Sequence, residues 1–331
     1  MYLMSSSPVT ALLDHLSQPM AQVDDLILTH MQSDIPLIPE IGKHIVSSGG
    51  KRVRPLLTLA AAELVGAQEM LGACQLAASV EFIHTATLLH DDVVDGSDLR
   101  RGTPTANMVW GNKAPVLVGD FLFSRAFELM VAVGRLDVLQ ILSAASATIA
   151  EGEVHQLKTA NDLGTTQDDY LAVIGAKTAA LFDAAMQVGG LVADASAVQL
   201  EALKTYGHEL GLAFQMADDA LDFAATAKDM GKAAGDDFRE GKVTLPIILA
   251  YAAGDEEQKA FWRRCIERLD QQEADLETAL VYLDQHQAIA QTLTQAEASG
   301  TRAKAALDVF TDGPLKTMLC GLIDFVVHRT H

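Results

Sequence analysis

Long stretches dominated by Ala, Leu, Met, Glu and Gln, with few alternating Val/Ile/Thr runs and few hairpin dipeptides, restrict this chain to helix almost throughout. The spacing predicts helices over about 8–32, 54–65, 70–95, 104–111, 114–133, 136–158, 167–190, 196–226, 242–253, 256–269, 273–298 and 301–327. Aromatic residues make up only 5% of the chain, so the core must be built from Ala, Leu and Val, which let helices approach closely. Several of these helices carry little charge on any face, as helices surrounded by others do. Gly/Pro/Asp-rich breaks at 47–50, 96–104, 164–166, 228–242 and 254–257 are too short to be linkers. The expectation is one all-α domain over 1–331, with 1–20 as a loosely attached N-terminal segment.

Charge narrows the partners. Lys plus Arg number 24 against 44 Asp plus Glu, a net charge of -20, which argues against nucleic acid or an anionic membrane held by bulk charge. An anionic ligand must then be met by local basic clusters or by metal ions. Three cysteines, Cys74, Cys265 and Cys320, have neither disulfide-framework nor zinc-type spacing and fit a reducing compartment. The N-terminus lacks a basic region followed by an apolar core, and Glu63, Glu69 and Glu81 interrupt the weakly charged stretch 55–90. Neither a secretory signal nor a membrane-spanning segment is expected, and a cytoplasmic protein is.

The chemistry-bearing motif occurs twice. Asp91-Asp92-Val93-Val94-Asp95 and Asp218-Asp219-Ala220-Leu221-Asp222 are both DDxxD, each near the end of an apolar helix. Residues four apart share a helix face, so Asp91 with Asp95, and Asp218 with Asp222, can grip cations together. Clustered carboxylates repel and take up protons unless a cation is present. Oxygen-only ligation with room for water and phosphate suits Mg²⁺. With 28 Asp in 331 residues, a random chain would hold about 0.2 such motifs, so two of them exceed chance.

Cations complement the carboxylates. Gly49-Gly50-Lys51-Arg52-Val53-Arg54-Pro55 places three cations beside a glycine pair, a pattern suited to phosphate, though alone it would read as an exposed basic loop. Arg100 and Arg101 follow the first motif by five and six residues, within reach of a phosphate bridged to its metals. His84 lies one or two turns upstream, where a single His is more often a core residue than a ligand. Lys177-Thr178, Lys232 and Lys242 stand in otherwise cation-poor stretches. Two acidic clusters for metals and several basic ones for phosphates, in an apolar helical body, suit two diphosphate-bearing apolar substrates. Metal-assisted departure of diphosphate needs such neutralisation, whereas hydrolysis needs a positioned base and water that the sequence does not display.

GGKRVRP, LLHDDVVDGSDLRRGTPTAN, GLAFQMADDALD and GKAAGDDFREGKVTLP together resemble the trans-isoprenyl diphosphate synthases, from about residue 20 to the C-terminus. The run from Thr103 to Phe127 resembles the long-chain, octaprenyl-like subgroup. The resemblance implies an all-α bundle of the isoprenoid synthase type with a central apolar cavity, usually a homodimer. It implies that Asp91, Asp95 and Asp218 bind three Mg²⁺ holding the allylic diphosphate (farnesyl or similar), assisted by Asp92, Asp219 and Asp222. Arg100, Lys177, Lys232 and Lys242 would contact that diphosphate. Lys51, Arg54, His84 and Arg101 would bind isopentenyl diphosphate. Thr178 and Gln215 would stabilise the allylic cation, which isopentenyl diphosphate attacks before losing a proton to the departed diphosphate. A prenyl tail would run from Asp91 past Thr87 and Ala86, then Phe82 and Ile83, then Ser79, a span of about 18 Å at 1.5 Å per residue. Phe127 or Met130 would form its floor, and product release would involve peripheral membrane contact. A shorter-chain farnesyl or geranylgeranyl synthase is the alternative. A terpene cyclase needs no second basic site, and a silent regulatory subunit would lack an aspartate.

Overall fold

The computed structural model describes residues 7–47, 52–224 and 235–328. The elements are α1 (Pro8–His15), α2 (Ser17–His30), α3 (Leu37–Ser47), α4 (Val53–Val65), α5 (Leu71–Val94), strands β1 (Leu99–Arg100) and β2 (Thr103–Pro104), α6 (Ala106–Trp110), α7 (Lys113–Val133), α8 (Leu136–Thr159) and α9 (Gln167–Ile174). A π-helical turn (Gly175–Ala179) leads into α10 (Ala180–Val192), followed by α11 (Ala197–Ala224), α12 (Asp236–Glu240), α13 (Leu245–Ala253) and α14 (Glu256–Trp262). After a second π turn (Arg263–Glu267) come α15 (Asp275–Gln285), α16 (Ala288–Ala306), a 3₁₀ turn (Leu307–Val309) and α17 (Pro314–His328). The all-α expectation holds.

Packing divides the chain into two compact units, neither of them continuous in sequence. The first comprises 1–146, 181–207 and 306–322, and in it α5 packs against α7, α4 and α2. From Ala73 to Leu89, twelve residues of α5 are buried, on nearly every face, among them the small and aliphatic Ala77, Ala78 and Ile83. The second unit comprises 147–180, 208–305 and 323–331. Its core gathers Phe223, Phe238, Ile247, Trp262 and Leu283, with the Phe238 and Trp262 rings edge to face at 6.2 Å.

Several local expectations need correction. Residues 1–20 are not loosely attached from Pro8 onward, because Val9, Leu12, Leu16 and Met20 are buried. The expected first helix breaks at Leu16, and α3 forms in a stretch that Gly42 and Pro39 make look irregular. Expected helices 273–298 and 301–327 become α15, α16 and α17, because Gln287 adopts φ 51° and a 3₁₀ turn closes α16. The continuous stretch Gln167–Val192 is long and apolar enough to cross a membrane by length and composition, yet 56% of its most apolar window is buried inside the protein. It also carries Lys177 and Asp183, charges that are costly in a lipid-facing span.

Ala-rich packing brings backbones together. A Cβ on Gly189 would lie 2.1 Å from the Thr58 carbonyl oxygen and 3.0 Å from Ala61 Cβ, so only glycine lets α10 rest on α4. Gly189→Ala should therefore cost about 1–3 kcal/mol in urea unfolding, with the far-ultraviolet dichroism unchanged. A variant as stable as the parent would show that these helices do not meet this closely.

Candidate active site

Each DDxxD motif occupies the C-terminal end of a long helix: Asp91–Asp95 closes α5, and Asp218–Asp222 lies in the last two turns of α11. Neither helix has a basic residue in its last turn. A helix C-terminus carries partial negative charge, so carboxylates here are destabilising unless a cation joins them.

In the first unit, Asp91 is half-buried and Asp95 exposed, while Asp92 is buried. Both Asp92 oxygens are held by Arg100: Nε donates at 3.0 and 3.1 Å, and Nη2 donates at 2.7 Å. Asp92 therefore faces a guanidinium fork, a strong charge-assisted pair. Arg100 sits on the β1–β2 hairpin, an element the sequence reading did not anticipate. Its two-residue turn, Arg101-Gly102, has φ 50° and 77°, as a type I′ turn requires. The hairpin is tied down where Thr105 Oγ1 donates to the Ser97 carbonyl at 2.6 Å and His44 Nε2 contacts the Pro104 carbonyl at 2.8 Å.

The basic cluster is assembled behind it. Arg54 Nη1 donates to His84 Nε2 at 3.1 Å, and its guanidinium lies 4.4 Å over the Phe182 ring. Burial lowers Arg54 to about 10, opposed by the charge of Glu81. Burial, then Arg54, Arg100 and Arg101, hold His84 well below the usual imidazole range. Neutral His84 accepts from Arg54, which is the tautomer the contact needs. Glu81 was not singled out from the sequence as functional. Burial raises its carboxyl, while Arg52, Arg54 and Arg101 draw it down, so it is the counter-charge of this cluster. Arg52 itself, at φ 45°, pairs with Asp24. Lys51 lies outside the described residues, as does Lys232.

The second unit carries the other motif. The π turn widens the helix by one residue and presents Lys177 and Thr178 side by side, a distortion that recurs at functional sites. Lys177 Nζ donates to Glu153 at 2.9 Å. Thr178 Oγ1 donates to Gln215 Oε1 at 2.9 Å, Gln215 Nε2 donates to Asp219 Oδ1 at 2.8 Å, and the Tyr170 hydroxyl donates to Asp219 Oδ2 at 2.5 Å. Asp219 is thus buried with both oxygens engaged, and burial pushes its carboxyl up to about 7. Asp222 accepts from the backbone amides of Asp236 (3.2 Å) and Asp237 (3.1 Å), fixing the turn into α12. Asp219 and Asp222 were expected to assist the metals; here protein donors hold them. Asp218 remains exposed. Desolvation, then the charges of Asp219 and Asp222, push Asp237 well above the carboxylate range. Lys242 pairs with Glu240 at 2.5 Å and lies 4.0 Å from Asp237.

Among the described residues, no three His, Cys, Asp or Glu side chains converge into a ready-made metal cage. The donors present still fit a hard divalent cation. They are oxygen-only, they sit at two negative helix ends, and Mg²⁺ commonly takes one or two carboxylates and completes its shell with water and phosphate. Of the residues expected to set chain length, Ser79, Phe82, Ile83, Ala86 and Met130 are buried and Thr87 is half-buried. Phe127 is 38% exposed, with its ring centroid 5.6 Å from that of Phe123, and is the least enclosed of these residues.

The Polyprenyl synthetase family model matches residues 35–283. The chain belongs to this family. It is 45% identical over 313 residues to octaprenyl diphosphate synthase of Escherichia coli (strain K12), covering 95% of this chain and 96% of that one. A polyprenyl synthase from Caulobacter crescentus CB15, solved with calcium and isoprenyl diphosphate, superposes with TM-score 0.94 at 49% identity, covering 99% and 100% of the two chains. A decaprenyl diphosphate synthase from Rhodobacter capsulatus gives 0.93 at 51% identity, covering 98% and 99%. Membership makes the protein a trans-prenyltransferase of the all-α isoprenoid synthase fold.

Because His84 is held neutral when folded, the unfolded chain binds the extra proton first as pH falls below about 6.5, so the His84 contribution to stability is lost on acidification. His84→Gln should flatten the fall in urea midpoint between about pH 6.5 and 5. An unchanged slope would show that His84 titrates normally in the folded protein.

Proposed function

We propose that the protein elongates an allylic diphosphate with isopentenyl diphosphate to a long-chain all-trans polyprenyl diphosphate. The reading is carried by two oxygen-rich clusters at the negative ends of α5 and α11, accompanied by a separate arginine cluster around half-buried Arg54. Similarity to octaprenyl and decaprenyl diphosphate synthases supports the long product.

Asp91, Asp95 and Asp218 would hold divalent ions, three Mg²⁺ in this reading, whose role is to neutralise the diphosphate as it leaves. The calcium and isoprenyl diphosphate named for the Caulobacter protein support a divalent ion beside such a ligand. Lys177, Lys242, Arg100 and Lys232 would bind the allylic diphosphate. Lys177 already carries Glu153 and Arg100 already carries Asp92, so each meets the substrate from a fixed position. Arg54, His84, Arg101 and Lys51 would bind isopentenyl diphosphate, with Glu81 preventing the arginines from repelling one another apart. Thr178 and Gln215 offer oxygen lone pairs to the allylic cation formed when the diphosphate departs. The double bond of isopentenyl diphosphate attacks that cation, and the resulting proton leaves to the released diphosphate. Ala86, one residue beyond a helical turn from Asp91, is small and leaves room for the growing tail.

The reading includes a homodimer, supported by the exposed apolar residues Val116, Leu117, Phe127 and Val131 along α7. It also includes a cytoplasmic enzyme that releases product at a membrane surface.

Incubation with isopentenyl diphosphate, farnesyl diphosphate and Mg²⁺, followed by sizing of the products, tests it. Asp91→Ala and Asp218→Ala should each lower turnover at least about 100-fold with the helical content intact. Ala86→Tyr should shorten the main product while turnover survives. Near-parental rates in both aspartate variants would remove the metal assignment, and an unmoved product length would remove the tail path along α5.

A further inference from the structure

The strongest unassigned arrangement is the hydrogen-bonded series Tyr170, Asp219, Gln215, Thr178, which lies wholly within the second unit. Its directions follow from chemistry. Asp219 accepts at both oxygens, from the Tyr170 hydroxyl at Oδ2 and from the Gln215 NH₂ 2.8 Å from Oδ1, so Gln215 Oε1 is turned toward Thr178. Thr178 commits its hydroxyl proton to that oxygen, which leaves the hydroxyl lone pairs facing elsewhere. The orientation of both oxygens therefore depends on Asp219 remaining where it is. Asp219 is the last acceptor in the series and has one other side-chain donor, the Tyr170 hydroxyl at 2.5 Å. Tyr170 is itself 4% exposed and packed with Ile174, Met216, Leu245 and Ala296, so its hydroxyl has one fixed position. The 49-residue separation between Tyr170 and Asp219 shows that the contact is tertiary, built by α9 lying along α11.

We infer that Tyr170 is a positioning residue for the prenyl transfer, holding Asp219 so that Gln215 and Thr178 present their oxygens, not their hydrogens, to the allylic cation. This rests on the cation-stabilising role given above to Thr178 and Gln215. Without the phenol, Asp219 can rotate about its side-chain bonds, and Gln215 can turn its NH₂ toward the cation. An N–H dipole directed at a developing positive charge opposes ionisation, whereas an amide oxygen favours it. The effect belongs to the transition state, where the charge appears, and not to binding of either diphosphate.

The test uses the full-length protein with isopentenyl diphosphate, farnesyl diphosphate and Mg²⁺. Tyr170→Phe keeps the ring and its packing. It should lower kcat 10- to 100-fold while KM for both substrates stays within twofold. Because Tyr170 acts through Gln215, adding Tyr170→Phe to a Gln215→Ala background should change kcat less than twofold. A merely structural tyrosine would give losses that multiply, or a raised KM. Either result overturns the inference, as does a Tyr170→Phe enzyme with parental kcat. If Tyr170→Phe loses its helical dichroism, Asp219→Asn is read in its place, with the same kcat loss and the same absence of further loss on Gln215→Ala expected. Inactivity of the parent protein with these substrates would instead overturn the proposed function, and the inference with it.

Discussion

Carboxylates at the negative ends of two buried, apolar helices are the constraint around which the rest of the molecule is arranged. A chain of net charge -20 is already a poor binder of anions, and each DDxxD motif adds local charge where the helix dipole least tolerates it. Helix packing keeps the motifs in place. Ala-, Leu- and Val-rich faces bury α5 from Ala73 to Leu89, and Asp92 is buried at its end. A divalent cation would meet that electrostatic demand, which in the proposed reading joins metal binding to diphosphate binding.

The two motifs meet that demand by the same division of labour. In each, the second aspartate is buried and bonded by protein donors: Asp92, 1% exposed, by the Arg100 fork, and Asp219, 5% exposed, by Tyr170 and Gln215. The first aspartate of each motif, Asp91 or Asp218, is more accessible. The second aspartate of each motif is thus the one most firmly tied to the protein. Glu81 plays the mirror role among the arginines, a half-buried acid whose charge couples to Arg52, Arg54 and Arg101.

Helix content, both acidic motifs and the basic cluster around Arg54 were legible in the sequence, because composition and four-residue spacing act locally. What escaped was tertiary. Tyr170 carries no local signal, since its partner is 49 residues away in the chain. The Arg101-Gly102 hairpin was hidden by short strands that have no alternating pattern of their own. The exposure of Phe127 was not legible because α7 is apolar on more than one side, so periodicity could not say which side meets α5. The backbone amides of Asp236 and Asp237 that donate to Asp222 were equally hidden, because they come from residues 14 and 15 positions further along the chain.

The central claim is that the two carboxylate clusters bind diphosphate only through divalent cations. Calorimetric titration with a non-ionisable farnesyl thiodiphosphate tests it directly, comparing chelated protein with protein in excess Mg²⁺. The account predicts affinity at least about 100-fold tighter with the ion, close to 3 kcal/mol, and loss of that gain in Asp91→Ala. Equal affinity with and without a divalent ion would contradict it.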